Sequence, residues 1–144
     1  MKALRKLLDL PGVDIGLLLE AALMLGVARL AIALIPFRHL APCLGVRQSS
    51  TPAAPLSEEH ARLVKRIGWA IRVAAGHLPW KAVCLPQAMA AKLMLRRRGF
   101  ASTLYLGVSQ QGAEFKAHAW IRTGDVIVTG YQDIQRYTVV SSFA

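Results

Sequence analysis

Apolar positions run almost unbroken from Ile15 to Pro36, interrupted by Glu20 and Arg29. A helix over that stretch would just span a bilayer. Glu20 and Arg29 lie nine residues apart and so on opposite faces of a helix. A charge near mid-membrane is costly, which favours a buried or interfacial helix within a globular domain. The competing readings are a transmembrane segment and a signal peptide. The second draws on Lys2, Arg5 and Lys6 ahead of the run and on the small-residue stretch Ala31-Ile32-Ala33. Glu20 argues against both, while peripheral contact with a membrane stays open.

Pro36 ends the helix, and Phe37 to Val46 reads as a short connector with room for helical turns. Gln48 to Leu56 (QSSTPAAPL) is rich in Pro and Ser and reads as an exposed loop. Ser57 has the character of an N-cap, with Glu58 and Glu59 in the first turn. The following helix extends to about Ala75, with Leu63, Val64, Ile67, Ile71 and Ala74 on one face and Gly76 as its end. A second helix runs from Leu85 to Arg98. Pro86 fits its first turn, Arg96, Arg97 and Arg98 fill its last, and Gly99 stops it.

The period then changes from helical to alternating. Ser102 to Val108 and Phe115 to Ile121 read as strands joined through Gln110-Gln111-Gly112. Thr123-Gly124 marks a tight turn, Val126 to Thr129 returns antiparallel, and Tyr137 to Phe143 offers a last strand. Helices followed by an antiparallel sheet make an α+β fold. The 144 residues suit one domain, with a helical part and loop over 1–56 and a core over 57–144.

Composition narrows the chemistry. Apolar residues make up 54% of the chain, and Lys plus Arg outnumber Asp plus Glu by 18 to 8. A formal charge of +10 attracts anions, but no helix-turn-helix, zinc-finger or RNA-binding signature accompanies it, so no nucleic acid is expected. The two cysteines, Cys43 and Cys84, make no disulfide framework, and His39, His60, His77 and His118 are too scattered for a metal set. A reducing, cytoplasmic setting fits, with no metal and no organic cofactor.

Cys84 stands at the head of the second helix, where the dipole's positive end and unpaired N–H groups favour the nucleophilic thiolate. Cys43 has no such setting and reads as structural. His118 follows 34 positions after Cys84 within Ala117-His118-Ala119-Trp120, on a strand. A cysteine on a helix head and then a histidine on a later strand is the chain order of papain-like and transglutaminase-like thiol enzymes. Cys84 is the expected nucleophile and His118 the general base and acid. Trp120 shares a strand face with His118 and is expected to pack beside it. The oxyanion donors are the Cys84 N–H, the Trp80 indole or the Gln87 amide. Trp80 as a core residue and Gln87 as an ordinary first-turn residue remain equally open. The run Arg96 to Arg98 reads as a solvated helix end.

Four segments resemble the lasso-peptide B protein family, the transglutaminase-like leader peptidases. They are RLAIALIPFRHL (29–40), IGWAIRVAAGHLPW (67–80), CLPQAMAAKLMLRRRGFASTLYLG (84–107) and AHAWIRTGDVIVTG (117–130). The resemblance implies a bacterial cysteine peptidase that cuts the leader from a ribosomally made precursor peptide. It also implies two partners: a leader-recognition protein of winged-helix type, for which this chain has no room, and an ATP-dependent cyclase that closes the ring. The family pattern places an acidic residue about twelve positions after the histidine. Here that position is Gly130, preceded by Thr129. Asp133 is the first choice for a residue that orients His118, ahead of Asp125 at the hairpin turn, and Thr129 is a neutral alternative. The rival functions are an acyl transfer to an amine and a non-catalytic, membrane-associated scaffold.

Overall fold

The computed structural model describes Arg5, Asp9 and residues 11–144, and over that span helices precede an antiparallel sheet, the α+β order expected. The helices are α1 (Gly12–Leu34), α2 (Phe37–Leu44), α3 (Glu58–His77) and α4 (Cys84–Arg97). The strands are β1 (Thr103–Gln111), β2 (Glu114–Thr123), β3 (Val126–Thr129) and β4 (Thr138–Phe143), with a single 3₁₀ turn at Ile134–Arg136. The sheet order is β3-β2-β1-β4, and every neighbouring pair is antiparallel.

Pro11 and Pro36 bracket α1, because neither can donate to a preceding turn. Leu17, Leu18, Ala21, Leu25 and Ala28 recur at helical spacing and are buried where α1 packs on α3 and α4. The opposite face leaves Leu19, Leu23, Val27, Leu30 and Leu34 exposed. By length and composition α1 could cross a membrane, yet its inner face is part of a protein core. Of the cations ahead of it, Lys2 and Lys6 lie outside the described residues. Glu20 is held by the end of α4: Arg98 donates through Nη1 and Nη2 at 2.9 and 2.6 Å, and Arg97 through Nη1 at 2.9 Å. The arginine run is therefore not a merely solvated helix end. The Arg98 hydrogen bonds hold the Glu20 carboxyl below its ordinary value, outweighing the opposite push of burial.

Ser57 caps α3 as expected, its Oγ accepting from His60 N at 3.2 Å. The helix runs through Gly76 to His77, slightly past the expected end. Its buried residues Val64, Ile67 and Ile71 join Met94 and Leu95 of α4 and Leu104, Ala119, Ile121, Val128 and Phe143 of the sheet in one core. Lys92 is 4% exposed within this core. Its Nζ donates to the Ser102 carbonyl at 2.8 Å and the Phe143 carbonyl at 3.2 Å, tying α4 to the start of β1 and the end of β4.

The other sheet face carries Tyr105, His118 and Trp120, since Gly107 pairs with His118 and Tyr105 with Trp120 across β1 and β2. The segment read as an exposed loop is tethered to the sheet. Arg122 donates to the carbonyls of Thr51 and Pro52, and Thr51 N donates to Thr103 Oγ1 at 2.8 Å.

Candidate active site

Val83 occupies the cap position of α4 and has no side-chain oxygen to offer. The first rung of the helix is Gln87 N donating to Val83 O at 3.3 Å. The N–H groups of Cys84 and Leu85 precede that rung, and Pro86 has none to satisfy. A thiol with unpaired backbone donors beside it is suited to attack a carbonyl and to hold the oxyanion that results.

Cys84 lines a cavity of about 360 Å³. Arg72, Ala75 and Gly76 contribute from the last turns of α3, Gln87 from α4, His118 from β2, and Gly130 and Gln132 from the segment after β3. The two residues expected to do the chemistry, 34 positions apart in sequence, thus share one small space. Sγ and the imidazole are not hydrogen-bonded to each other. Catalytic pairs commonly tighten only when substrate is bound.

A neutral group orients His118. Its Nε2 lies 2.7 Å from the Gly130 carbonyl oxygen. A carbonyl can only accept, so Nε2 carries the proton and Nδ1 keeps its lone pair for acid–base work. The ring is flanked by Tyr137 at 5.0 Å and Trp120 at 5.8 Å between centroids, the latter stacked as expected. The contact with Gly130 depends on a bulge. Ile121 pairs with Thr129 but Arg122 pairs with Ile127, so Val128 is the extra residue on β3. Gly130 itself has φ +76°, and a Cβ there would sit 2.5 Å from the Ala119 carbonyl. Glycine is demanded twice, by conformation and by space.

The expectation for Asp133 is corrected. Its carboxylate is exposed and faces Arg136 at 3.9 Å, and the hydrogen bond to His118 Nε2 is made by the Gly130 carbonyl instead. Asp125 accepts from Leu56 N at 3.5 Å at the hairpin end, so it serves the tethered loop. Thr129 pairs with Ile121 rather than with His118, and its buried Oγ1 has no partner among the described residues. The residue at the family's acidic position does contact the ring, but through its backbone oxygen.

Gln87 lines the cavity, and its Nε2 donates to the Ala82 carbonyl at 2.8 Å, which fixes the amide beside Cys84. Trp80 does not line it. Its ring lies under the Arg29 guanidinium at 5.4 Å, and its Nε1 is buried without a partner among the described residues. Cys43 is exposed on α2, also outside the cavity. Arg72 and Gln132 are additions that sequence reasoning missed. Nothing in the local pattern separates Arg72 from the other arginines of α3.

The family model described as transglutaminase-like superfamily matches residues 20–142, a span that includes every residue of the cavity. No curated protein matches the chain, and no solved structure matches it.

Proposed function

We propose that this chain, which belongs to the transglutaminase-like superfamily, is a cysteine peptidase that removes the leader from a lasso-peptide precursor. The observation that supports it most is the shared cavity of Cys84 and His118, one at a helix head and the other with Nε2 committed to a carbonyl. That superfamily contains both peptidases and acyl transferases, and the four segments that resemble the lasso B proteins favour the peptidase.

In the proposed reaction the Cys84 thiol gives its proton to His118 Nδ1, and Sγ attacks the carbonyl carbon of the leader–core bond. The Cys84 N–H, with the Gln87 amide as second donor, takes the oxyanion. The intermediate collapses to a leader thioester, and the departing core amine takes the proton from His118. Water then attacks the thioester with His118 as base, releasing the leader carboxylate and restoring the thiol. These steps consume no ATP, which belongs to the partner cyclase. A separate leader-recognition protein delivers the precursor to this chain.

The test is mass spectrometry of precursor incubated with its recognition partner and the wild type, Cys84→Ala or His118→Ala protein. The expected leader fragment appears with wild type and falls at least about 10³-fold with either variant. Equal cleavage by all three proteins would remove the catalytic assignment. Incorporation of an added amine in place of water would identify a transferase, and product formation that survives Cys84→Ala would identify a scaffold.

A further inference from the structure

The cavity that holds Cys84 has an unbalanced charge. Among its lining residues Arg72 carries a full positive charge, and no Asp or Glu is present. Other arginines of the helices are paired with carboxylates. Arg66 pairs with Asp14, and Arg97 and Arg98 pair with Glu20. Arg122 spends its donors on three carbonyls and the Tyr105 hydroxyl. Arg72 has no carboxylate partner among the described residues and makes one hydrogen bond, from Nη1 to the Val128 carbonyl at 3.3 Å.

That single bond is part of a mount. Val128 is the bulged residue of β3, so its carbonyl is free to face α3. Gly68, one turn before Arg72, lets the strand come close: a Cβ there would lie 2.4 Å from the Val128 oxygen and 3.1 Å from Arg72 Nη1. The guanidinium also lies over the Tyr131 ring, 5.5 Å from its centroid. A cation fixed on three sides loses little freedom on binding, and its remaining N–H groups suit a carboxylate.

We propose that Arg72 is the anchor of an anionic substrate subsite, and that the cavity selects peptides presenting a carboxylate within about two residues of the bond to be cut. The reach follows from the cavity's small size and a rise of ~3.3 Å per extended residue. The proposal rests on the reading of this cavity as a peptide-processing site. The carboxylate can come from an Asp or Glu side chain or from a free chain end.

The experiment separates those sources without needing cleavage. Fluorescent peptides of the precursor's leader–core junction bind to Cys84→Ala protein, and anisotropy reads the affinity. One set is capped and carries a single Glu, or its Gln twin, stepped across the junction. A second set lacks acidic side chains and ends in a free carboxylate at the junction. Some member of either set should bind about 10-fold tighter than its neutral twin. Adding Arg72→Gln should abolish that preference, and Arg72→Lys should recover part of it. Arg62→Gln, at a well-exposed position outside the cavity, should leave the ratio between twins unchanged.

Which set shows the preference identifies the source. Equal binding of all twins, no binding at all, or a preference that survives Arg72→Gln would overturn the proposal. Should Arg72→Gln unfold, seen as a lost thermal transition, Arg72→Lys decides: an undiminished preference there overturns it, and a reduced one supports it. If the preference is present but wild type never cuts the precursor, the subsite stands and the peptidase reading falls.

Discussion

A glycine stands where a carboxylate would be expected, and its backbone does part of that carboxylate's work. The Gly130 oxygen fixes the tautomer and tilt of His118 at 2.7 Å. A carbonyl brings a dipole rather than a full charge, so it orients the ring while stabilising an imidazolium less than a carboxylate would. A thiol enzyme tolerates this, since a thiolate–imidazolium pair forms more readily than its serine counterpart. The physical demands at this position predict that Gly130→Asp does not rescue a triad. Its Cβ meets the Ala119 carbonyl at 2.5 Å and strains the positive φ. Cleavage assays should show kcat/KM lowered about 100-fold, and urea titration a loss of about 1–3 kcal/mol. Asp133→Asn should leave kcat/KM within about twofold, because that side chain faces Arg136. Wild-type activity in Gly130→Asp would sink this account of the ring's partner.

Between elements, the contact that carries the most charge is made by the partly buried acid on an apolar helix. Glu20 makes sense once α4 is beside α1, because Arg98 closes on both of its oxygens and Arg97 on one. This clamp holds α1 against the helix whose head carries Cys84. Glu20→Gln keeps one accepting oxygen but removes the charge and sets an NH2 donor against the guanidinium groups, and it should cost about 1–3 kcal/mol in chemical denaturation. The pH dependence has a defined sign. Glu20 is held below its ordinary value in the folded chain, so its contribution is present above the unfolded carboxyl range. That contribution disappears as pH falls through the lowered folded value. Wild type should therefore lose its advantage over Glu20→Gln in acid. A difference that stays constant from pH 7 down to pH 3 would show that the clamp is not ionic.

Across the molecule, Lys92 joins α4 to the adjacent ends of β1 and β4 and does so at an electrostatic cost. Burial, with Arg96 as a lesser influence, pushes its ammonium down to about 8. Below that value the charge is present in both states and the fold bears the burial penalty. Between about 8 and the unfolded value of 10.5 the unfolded chain binds more proton, so stability should rise with pH. The gain attributable to Lys92 is at most about 3 kcal/mol. The general charge of +10 also relaxes over this range, so the comparison is with Lys92→Met. Urea midpoints should climb from pH 7.5 to 10 more steeply in wild type than in the variant. Parallel slopes would mean that Lys92 does not titrate in this window.

The sequence by itself determined most of the elements and the two candidate reacting groups. Local rules carry that information: Ser57 caps its own helix, Pro36 ends α1, and alternation sets β1 and β2. A cysteine at the head of α4 and a histidine on β2 are visible for the same reason, because each depends on its immediate neighbours. Among side chains near the expected acidic position, the sequence offers Asp133 to orient His118. Tertiary structure decided otherwise. A bulge at Val128 advances the register by one residue, and that brings a backbone oxygen, which no residue type encodes, to the ring. The same bulge mounts Arg72 in the cavity. Arg97 and Arg98 likewise read as solvated until α1 supplied Glu20. Hydrophobic period and capping act within a few residues. Register, bulges and charge pairing depend on which distant segments meet, and that is settled only when the core closes.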